Sequence, residues 1–229
     1  MSRLPVIEVF GPTLQGEGQL IGCRTMFVRL AGCDWSCSWC DTPYSWRAHE
    51  LGPVERMDGE GIVQRLRRLD ATTHRVTLSG GNPALHDCGS LVDALHRAGY
   101  TVHVETQGSR AAPWLARADS VTVSPKGPSS GMPPDWANLA ATLAVAAAAE
   151  LKIVVFDEGD LVYAREVHAR HPECPLTLQV GNRVDQDDRA ALLARLRWLA
   201  DRALGDADLA DVRVLPQLHV LLWGNKRGV

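Results

Sequence analysis

The sequence has no surplus of basic residues and no long apolar run, and each absence excludes a class of protein. Its 229 residues carry 24 lysines and arginines against 27 aspartates and glutamates, a formal charge of -3, so the positive surface that nucleic-acid phosphates select is not expected. The most apolar stretch, residues 139–149, is interrupted by Thr142 and is far shorter than the roughly 20 residues that span a bilayer. We therefore expect neither nucleic acid nor a membrane as a partner.

A secretory signal is also missing from the first residues, since no apolar core leads to a small-residue cleavage site. We expect the chain to stay in the cytoplasm, where its six cysteines are thiols or metal ligands rather than disulfides. Cys23, Cys88 and Cys174 stand alone and are predicted to be small packing residues. No linker or sequence repeat divides the chain, which predicts one domain.

Short runs of β-branched and aliphatic residues alternate with segments of helical spacing. The runs that predict strands are residues 6–9, 25–31, 75–79, 101–105, 120–124, 150–156, 175–180 and 212–216. Helical spacing is found at residues 62–69, behind a cap at Asp58, and at 91–98, 161–167 and 192–199. This alternation predicts parallel strands joined by right-handed crossovers, either in an open doubly wound sheet or in a barrel.

Polar and apolar side chains alternate inside several of these strands. Val102 and Val104, for example, oppose His103 and Glu105, whereas strands of parallel sheets usually read as continuous apolar runs. An antiparallel sheet with one solvent-exposed face is the alternative. It is disfavoured because antiparallel hairpins need only a few residues to turn, whereas the connections predicted here are helices. We predict a curved parallel sheet whose concave polar face forms a binding site, because buried charges need polar partners.

Three of the six cysteines, Cys33, Cys37 and Cys40, lie within eight residues directly after the strand at 25–31. Barrel enzymes place their chemistry at this end of their strands. Structural zinc sites and ordinary iron–sulfur clusters usually take four protein ligands, and no second Cys-x2-Cys pair is present. Zinc with an unidentified fourth ligand remains an alternative, but three thiolates favour a cluster with one iron open to a non-protein ligand.

The Cys-x3-Cys-x2-Cys spacing, with Trp39 before the last cysteine, resembles the signature of the radical S-adenosylmethionine (SAM) enzymes. The resemblance implies a [4Fe-4S] cluster whose open iron binds the amino and carboxylate groups of SAM. The usual Gly-Gly-Glu-Pro segment of that superfamily reads Gly-Gly-Asn-Pro at residues 80–83, so Asn82 replaces a charged residue and its role is open. An activase for a glycyl-radical protein shares the cysteine spacing, but the Gln-Gly-Glu-Gly segment at residues 15–18 disfavours it.

A narrower resemblance covers almost the whole chain. The segments that are similar to the 7-carboxy-7-deazaguanine synthase family are residues 10–18, 31–42, 79–83, 124–126, 215–219 and 223–229. The resemblance implies a radical ring contraction of 6-carboxy-5,6,7,8-tetrahydropterin to 7-carboxy-7-deazaguanine with loss of ammonia, on the route to queuosine. It also implies a homodimer, Mg²⁺ beside the substrate, and a one-electron reductant such as flavodoxin or ferredoxin.

The fold implied by this resemblance is α/β, an incomplete TIM-like βα barrel of about six parallel core strands with short N- and C-terminal additions. Residues 1–229 would form one radical SAM core domain. Within it we expect a substrate-binding extension at residues 1–24, the partial barrel at 25–182, and a C-terminal helix, strand and tail at 183–229.

The same resemblance assigns the site residues. Cys33, Cys37 and Cys40 would hold the cluster, and Thr42 would ligate Mg²⁺. The residues expected to bind SAM are Trp39, Asp41, Gly81, Ser124 and Lys126. Glu105 and Gln179, which the strand alternation places on the polar face, are expected to contact the ribose or adenine of SAM. Those expected to bind the substrate are Leu14, Gln15, Gly16, Glu17, Arg29, Ser79, His219 and Val229 with its terminal carboxylate.

Side-chain chemistry supports some of these assignments. Glu17 can accept from the amino and ring N–H groups of a pterin, and Lys126 offers a cation for the methionine carboxylate, unless it is a solvated surface lysine. Arg29, on the polar face of its strand, is the natural partner of the substrate carboxylate; a buried arginine that bridges to another side chain is the alternative. His103 is expected to be a hydrogen-bonded interior histidine.

Overall fold

The computed structural model describes residues 3–184, 186 and 188–229. In this part of the chain the strands form one sheet. They are β1 (Leu4–Leu14), β2 (Arg24–Leu30), β3 (Glu55–Met57), β4 (Arg75–Gly80), β5 (Thr101–Thr106), β6 (Ser120–Val123), β7 (Ala149–Val155), β8 (Leu176–Val180) and β9 (Arg213–Leu215). Their order across the sheet is β3-β1-β2-β4-β5-β6-β7-β8-β9.

Most of the strands are connected through helices. These are α1 (Gly59–Leu69), α2 (Gly89–Arg97), α3 (Trp136–Val145), α4 (Glu158–Arg170), α5 (Arg189–Leu204) and α6 (Leu218–Trp223). The predicted cap is confirmed, since Asp58 accepts a 2.9 Å hydrogen bond from the backbone N–H of Gly61, which satisfies one of the free donors of the first turn. Among the residues that the structure describes, every helix is too short or too polar to cross a bilayer.

The sheet is parallel from β2 to β9 and remains open. Each neighbouring pair from β2–β4 to β8–β9 is parallel, which confirms the predicted parallel sheet and adds β9 as a short seventh strand. The edges of the sheet are β3 and β9, which are not paired with each other. The barrel is therefore incomplete, as expected.

The first strand lies outside the parallel core and runs antiparallel to both of its neighbours. β1 extends over Leu4–Leu14, well beyond the predicted run at residues 6–9, and pairs antiparallel with β2 and with β3. The reason is the short connection between β1 and β2, because a parallel pair needs a crossover of a dozen or more residues. The loop at residues 15–23 is too short for such a crossover, so the chain reverses its direction between β1 and β2. This reversal places the loop at the end of the sheet.

The predicted polar face of the parallel sheet is confirmed and is buried. Apolar side chains on the other face pack beneath the helices, and they include the fully buried Val76, Leu78, Val102 and Val104. The polar face carries Thr77, Ser79, His103, Thr122, Lys152 and Thr177, all at most 8% exposed.

His103 is a hydrogen-bonded interior histidine, as predicted. Its Nδ1 lies 2.8 Å from Ser120 Oγ and its Nε2 3.1 Å from Thr122 Oγ1. Burial lowers the pKa of His103 to about 4, so the ring is neutral at neutral pH. This end of the polar face is thus a closed hydrogen-bond network, whereas the opposite end, at the carboxyl termini of the strands, opens into a cavity.

Candidate active site

A cavity opens on the polar face of the sheet, and nearly all the predicted site residues lie on its wall. The lining comes from β1 and its following loop, the cysteine loop, the ends of the parallel strands and the C-terminal segment. The predicted residues on the wall are Leu14, Gln15, Gly16, Glu17, Arg29, Cys33, Cys37, Trp39, Cys40, Asp41, Thr42, Ser79, Gly81, Glu105, Ser124, Lys126, His219 and Val229.

Gln179 is the exception among the predicted site residues. It is fully buried and does not line the cavity. Its Nε2 donates a 3.3 Å hydrogen bond to the carbonyl oxygen of Leu215, because β9 continues the sheet beside β8. The alternation correctly places Gln179 on the polar face, and its contact with SAM stays a prediction.

The three cysteines of the loop after β2 are free thiols on the cavity wall. The loop is folded by its own backbone, with the N–H of Cys40 bonded to the carbonyl of Cys37 at 3.2 Å. Burial raises the pKa of the Cys33 thiol and raises that of Cys37 to about 11. Both thiols therefore stay protonated until a metal displaces the proton.

The geometry of the three thiols fits a cluster better than a single ion. Within the described ranges, no three His, Cys, Asp or Glu side chains converge closely enough to hold one metal ion. A structural zinc ion needs all its ligands at about 2.3 Å from one point. A cubane instead takes each thiolate at a different iron, so cysteines spread around a cavity wall are suitable ligands for it.

A lysine lies on the cavity wall near the cysteine loop. Lys126 Nζ donates to the carbonyl oxygen and to Oγ of Ser124, both at 2.8 Å, and lies 6.0 Å from the ring centroid of Trp39. Burial lowers the pKa of Lys126, and none of the carboxylates in the described residues forms a salt bridge with it. Lys126 is therefore not a solvated surface lysine but a partly compensated cation facing the cavity, where an anionic group would complete its coordination.

A buried charge network occupies another part of the wall. Glu17 pairs through Oε2 with Lys152 Nζ and accepts from Gln217 Nε2 at 2.6 Å through Oε1. Lys152 Nζ also lies 4.0 Å from Glu105 Oε1, which accepts from Gln15 Nε2 at 3.2 Å. Burial by itself would raise the pKa of Glu17, but the charge of Lys152 and these hydrogen bonds outweigh it and lower the pKa to about 2. Glu17 is thus an ionised acceptor held in place by its partners.

Gly16 allows the C-terminal segment to close over this network. A Cβ at Gly16 would lie only 2.0 Å from His219 Nδ1, so any other residue would displace the histidine. The backbone N–H of Leu218 donates to the carbonyl of Gly16 at 2.9 Å, which joins α6 to the loop after β1. His219 and the Gln15–Glu17 segment therefore reach the cavity together.

Arg29 combines the two roles considered for it. Its Nε donates to Glu8 Oε1 at 2.7 Å, and the same oxygen accepts from the hydroxyl of Tyr44 at 3.2 Å. The Nη1 and Nη2 nitrogens of Arg29 make no hydrogen bond to any residue that the structure describes, and the residue lines the cavity. The guanidinium is bridged on one edge and has its other edge available for a carboxylate.

Several wall residues were not predicted. Gln217 and Asn182 line the cavity and each carries a buried side-chain oxygen without a partner among the described residues, which is typical of atoms that await a ligand. Sequence signals for both exist, because Gln217 lies in the 215–219 segment and Asn182 follows β8 directly. Gln107, which follows β5 directly, also lines the wall. Tyr44 and Trp46 line it as well, and their sequence context carries no comparable signal.

Comparison with known proteins agrees with this geometry. Residues 28–155, more than half of the chain, match the radical SAM superfamily. The chain is 44% identical to the 7-carboxy-7-deazaguanine synthase of Bacillus cereus over 238 aligned residues, with 100% of both chains covered. It is 45% identical to the enzyme of that name from Bacillus subtilis, with 99% of this chain and 98% of the relative covered. The chain belongs to the 7-carboxy-7-deazaguanine synthase family.

The fold supports the same relationship. The crystal structure of QueE from Escherichia coli matches with a TM-score of 0.70 and 26% sequence identity, and 95% of each chain is covered. As a radical SAM enzyme the chain uses a [4Fe-4S] cluster and SAM, and Cys33, Cys37 and Cys40 on the cavity wall are the residues that fit the cluster.

Proposed function

We propose that this chain converts 6-carboxy-5,6,7,8-tetrahydropterin to 7-carboxy-7-deazaguanine with release of ammonia. The observation that carries the proposal is the full-length similarity to enzymes named for this product. It is supported by the cavity, which is lined both by the cysteine loop and by the residues expected to bind substrate. A protein substrate, as for an activase, is disfavoured because Glu17 and Lys152 are buried, with side chains 14% and 7% exposed.

When bound, the cluster and SAM supply the organic radical that removes a hydrogen atom from the substrate. The chain's own residues prepare that step. Cys33, Cys37 and Cys40 would hold the cluster, Lys126 would neutralise the methionine carboxylate, and Trp39 would line the same part of the cavity. Hydrogen abstraction requires the two reacting atoms within about 3–4 Å and the exclusion of water, which positioning inside a cavity provides.

The substrate is recognised by charge and hydrogen bonding in this proposal. Glu17, kept ionised by Lys152, accepts from the amino and ring N–H groups of the pterin. Arg29 offers its outer edge to the substrate carboxylate, and a guanidinium fork binds a carboxylate in two-point geometry. Gln217 and His219 approach from the C-terminal segment. Together these groups would orient the ring so that one carbon faces SAM.

Mg²⁺ and a homodimer belong to the proposal as well. Thr42 lies on the wall with its Oγ1 3.8 Å from Cys40 Sγ, and one hydroxyl is a suitable ligand for an ion that takes its other ligands from water and substrate. The homodimer is proposed from the family resemblance, and light scattering coupled to size-exclusion chromatography tests it. The location in the cytoplasm and the choice of flavodoxin or ferredoxin as reductant remain predictions.

The decisive experiment is an anaerobic incubation of the reconstituted protein with a one-electron reductant, SAM and 6-carboxytetrahydropterin. We expect 7-carboxy-7-deazaguanine, identified by mass, and about four irons per chain, as a [4Fe-4S] cluster requires. Stoichiometric zinc in place of iron would refute the cluster. An intact cluster that cleaves SAM but forms no product from this pterin would refute the substrate while leaving the superfamily chemistry in place.

A further inference from the structure

Two side-chain N–H groups point at sulfur atoms of the cysteine loop. The amide of Gln107 donates through Nε2 to Cys33 Sγ at 3.6 Å, and the indole of Trp46 donates through Nε1 to Cys40 Sγ at 3.3 Å. The two residues come from different parts of the chain and approach different sulfurs. We propose that Gln107 and Trp46 are positioning residues that raise the reduction potential of the cluster, an inference that rests on the proposed function because it requires the cluster.

The orientation of the Gln107 amide is imposed by its neighbours. Nε2 has two hydrogens, and Asp34 Oδ1 accepts one of them at 2.6 Å, which leaves the other for Cys33. Asp34 is itself held, because Oδ2 accepts from Ser109 Oγ at 2.7 Å. Gln107 is only 6% exposed, so little of its side chain is open to water. The amide is therefore locked with one hydrogen toward the cluster sulfur.

Asn82 supports this arrangement, which answers the question raised by its place in the Gly-Gly-Asn-Pro segment. Its Nδ2 donates to Asp34 Oδ1 and to Ser109 Oγ, both at 3.0 Å, while its Oδ1 accepts from Thr106 Oγ1 at 2.8 Å. The side chain is fully buried and does not line the cavity. A carboxylate here would face the carboxylate of Asp34 without a donor between them, so the neutral amide is what keeps Asp34 in place to orient Gln107.

Hydrogen bonds to cluster sulfurs favour the reduced state. The reduced cluster carries one more negative charge than the oxidised one, and a donor stabilises the form with more charge on sulfur. An electron from the one-electron reductant is therefore accepted more readily when Gln107 and Trp46 are in place. Loss of either donor shifts the potential in the negative direction.

The test is a potentiometric titration of the reconstituted protein, with the reduced cluster followed by electron paramagnetic resonance. Gln107→Met removes the N–H with little change of volume, and Trp46→Phe removes it together with part of the indole ring. At a fixed solution potential we expect each to lower the ratio of reduced to oxidised cluster about three- to tenfold, and tenfold equals 59 mV for a one-electron couple. Gln19→Met is the matched control, because Gln19 undergoes the same change but does not line the cavity, and its potential should equal that of the unsubstituted protein.

The outcomes separate the inference from the proposed function. A negative shift in Gln107→Met and Trp46→Phe, with none in Gln19→Met, supports the role of the two donors. Unchanged potentials with full iron content would overturn it while the cluster itself stands. If Gln107→Met does not retain the cluster, the sign of the shift in reduction potential of Trp46→Phe decides whether the inference stands. Failure of the unsubstituted protein to bind four irons would instead refute the proposed function.

Discussion

Replacing Lys152 with methionine tests the buried charge network of the cavity wall. The side chain of Lys152 is 7% exposed and that of its partner Glu17 14%, so neither charge can turn to water. Removing one partner of such a pair leaves the other charge buried, which typically costs about 3–5 kcal/mol. We expect Lys152→Met to lower the free energy of unfolding by that amount at pH 7.

The pH dependence gives the sign of the effect. In the unsubstituted protein Glu17, with its pKa lowered to about 2, contributes stability that is complete above the unfolded pKa near 4.5 and is lost as the pH falls toward 2. Lys152, whose pKa is raised by Glu17 and Glu105 against the effect of burial, contributes stability that is lost only at strongly alkaline pH. Between pH 7 and 5 the contribution of this pair to the free energy of unfolding is therefore constant.

In Lys152→Met the free energy of unfolding should instead rise as the pH falls from 7 to 5. Burial then raises the pKa of Glu17 without the charge of Lys152 to oppose it, so protonation of Glu17 at pH 5 should recover part of the lost stability. Glu17→Gln in the Lys152→Met background should also recover much of the loss, because the unpaired charge is gone. The assay is urea unfolding of the cluster-free chain, followed by circular dichroism at both pH values.

An exposed ion pair provides the control. Arg97 and Glu60 lie 3.2 Å apart with side chains 62% and 55% exposed, and Arg97→Met should cost less than about 1 kcal/mol. A loss below 1 kcal/mol in Lys152→Met, with no dependence on pH between 5 and 7, would show that the network is solvated and the reasoning wrong.

Three further predictions concern the cluster, the substrate and the closed end of the polar face. Cys37→Ala should keep the far-ultraviolet circular dichroism but lose the visible absorption of the cluster, and an unchanged visible spectrum would contradict the ligand assignment. Arg29→Ala should weaken binding of the pterin about 10- to 150-fold in calorimetry, as expected for loss of a charged hydrogen bond. Equal affinity would show that Arg29 does not belong to the site. Arg24→Ala is the control, because Arg24 does not line the cavity. Glu150→Gln should cost about 1.5–3 kcal/mol in urea unfolding, because Oε2 of this 1% exposed carboxylate accepts from Arg213 Nη2 at 3.2 Å and an amide nitrogen in its place would face that donor. A loss under about 0.5 kcal/mol would mean that water replaces this contact.

Much of the fold was predictable because its signals are local. The alternation around His103 and Glu105 follows from the two-residue period of a strand, and it correctly placed a polar face inside the molecule. The direction of β1 was not predictable in this way, since the same side-chain pattern suits a parallel or an antiparallel partner. Its antiparallel pairing depends on the short connection at residues 15–23.

The candidate site was predictable where its residues lie in a short motif. Cys33, Cys37 and Cys40 lie close in sequence, so their spacing alone indicates a common ligand. Gln179 illustrates the limit of such reasoning, because its pattern gives the face of the strand but not the neighbour that covers it. That neighbour, β9, begins 34 residues later along the chain.

The sequence by itself determined the strand and helix periods, the buried polar face and the three-thiol loop, because each depends on residues a few positions apart. Only the tertiary structure decided which polar groups meet on the cavity wall. Lys152 and Glu17 are 135 residues apart and Gln107 and Cys33 are 74 apart, and such pairs are formed by strand register and by the way the C-terminal segment closes over the sheet. The charge of Glu17 and the environment of the cluster sulfurs follow from these distant contacts, which no local pattern encodes.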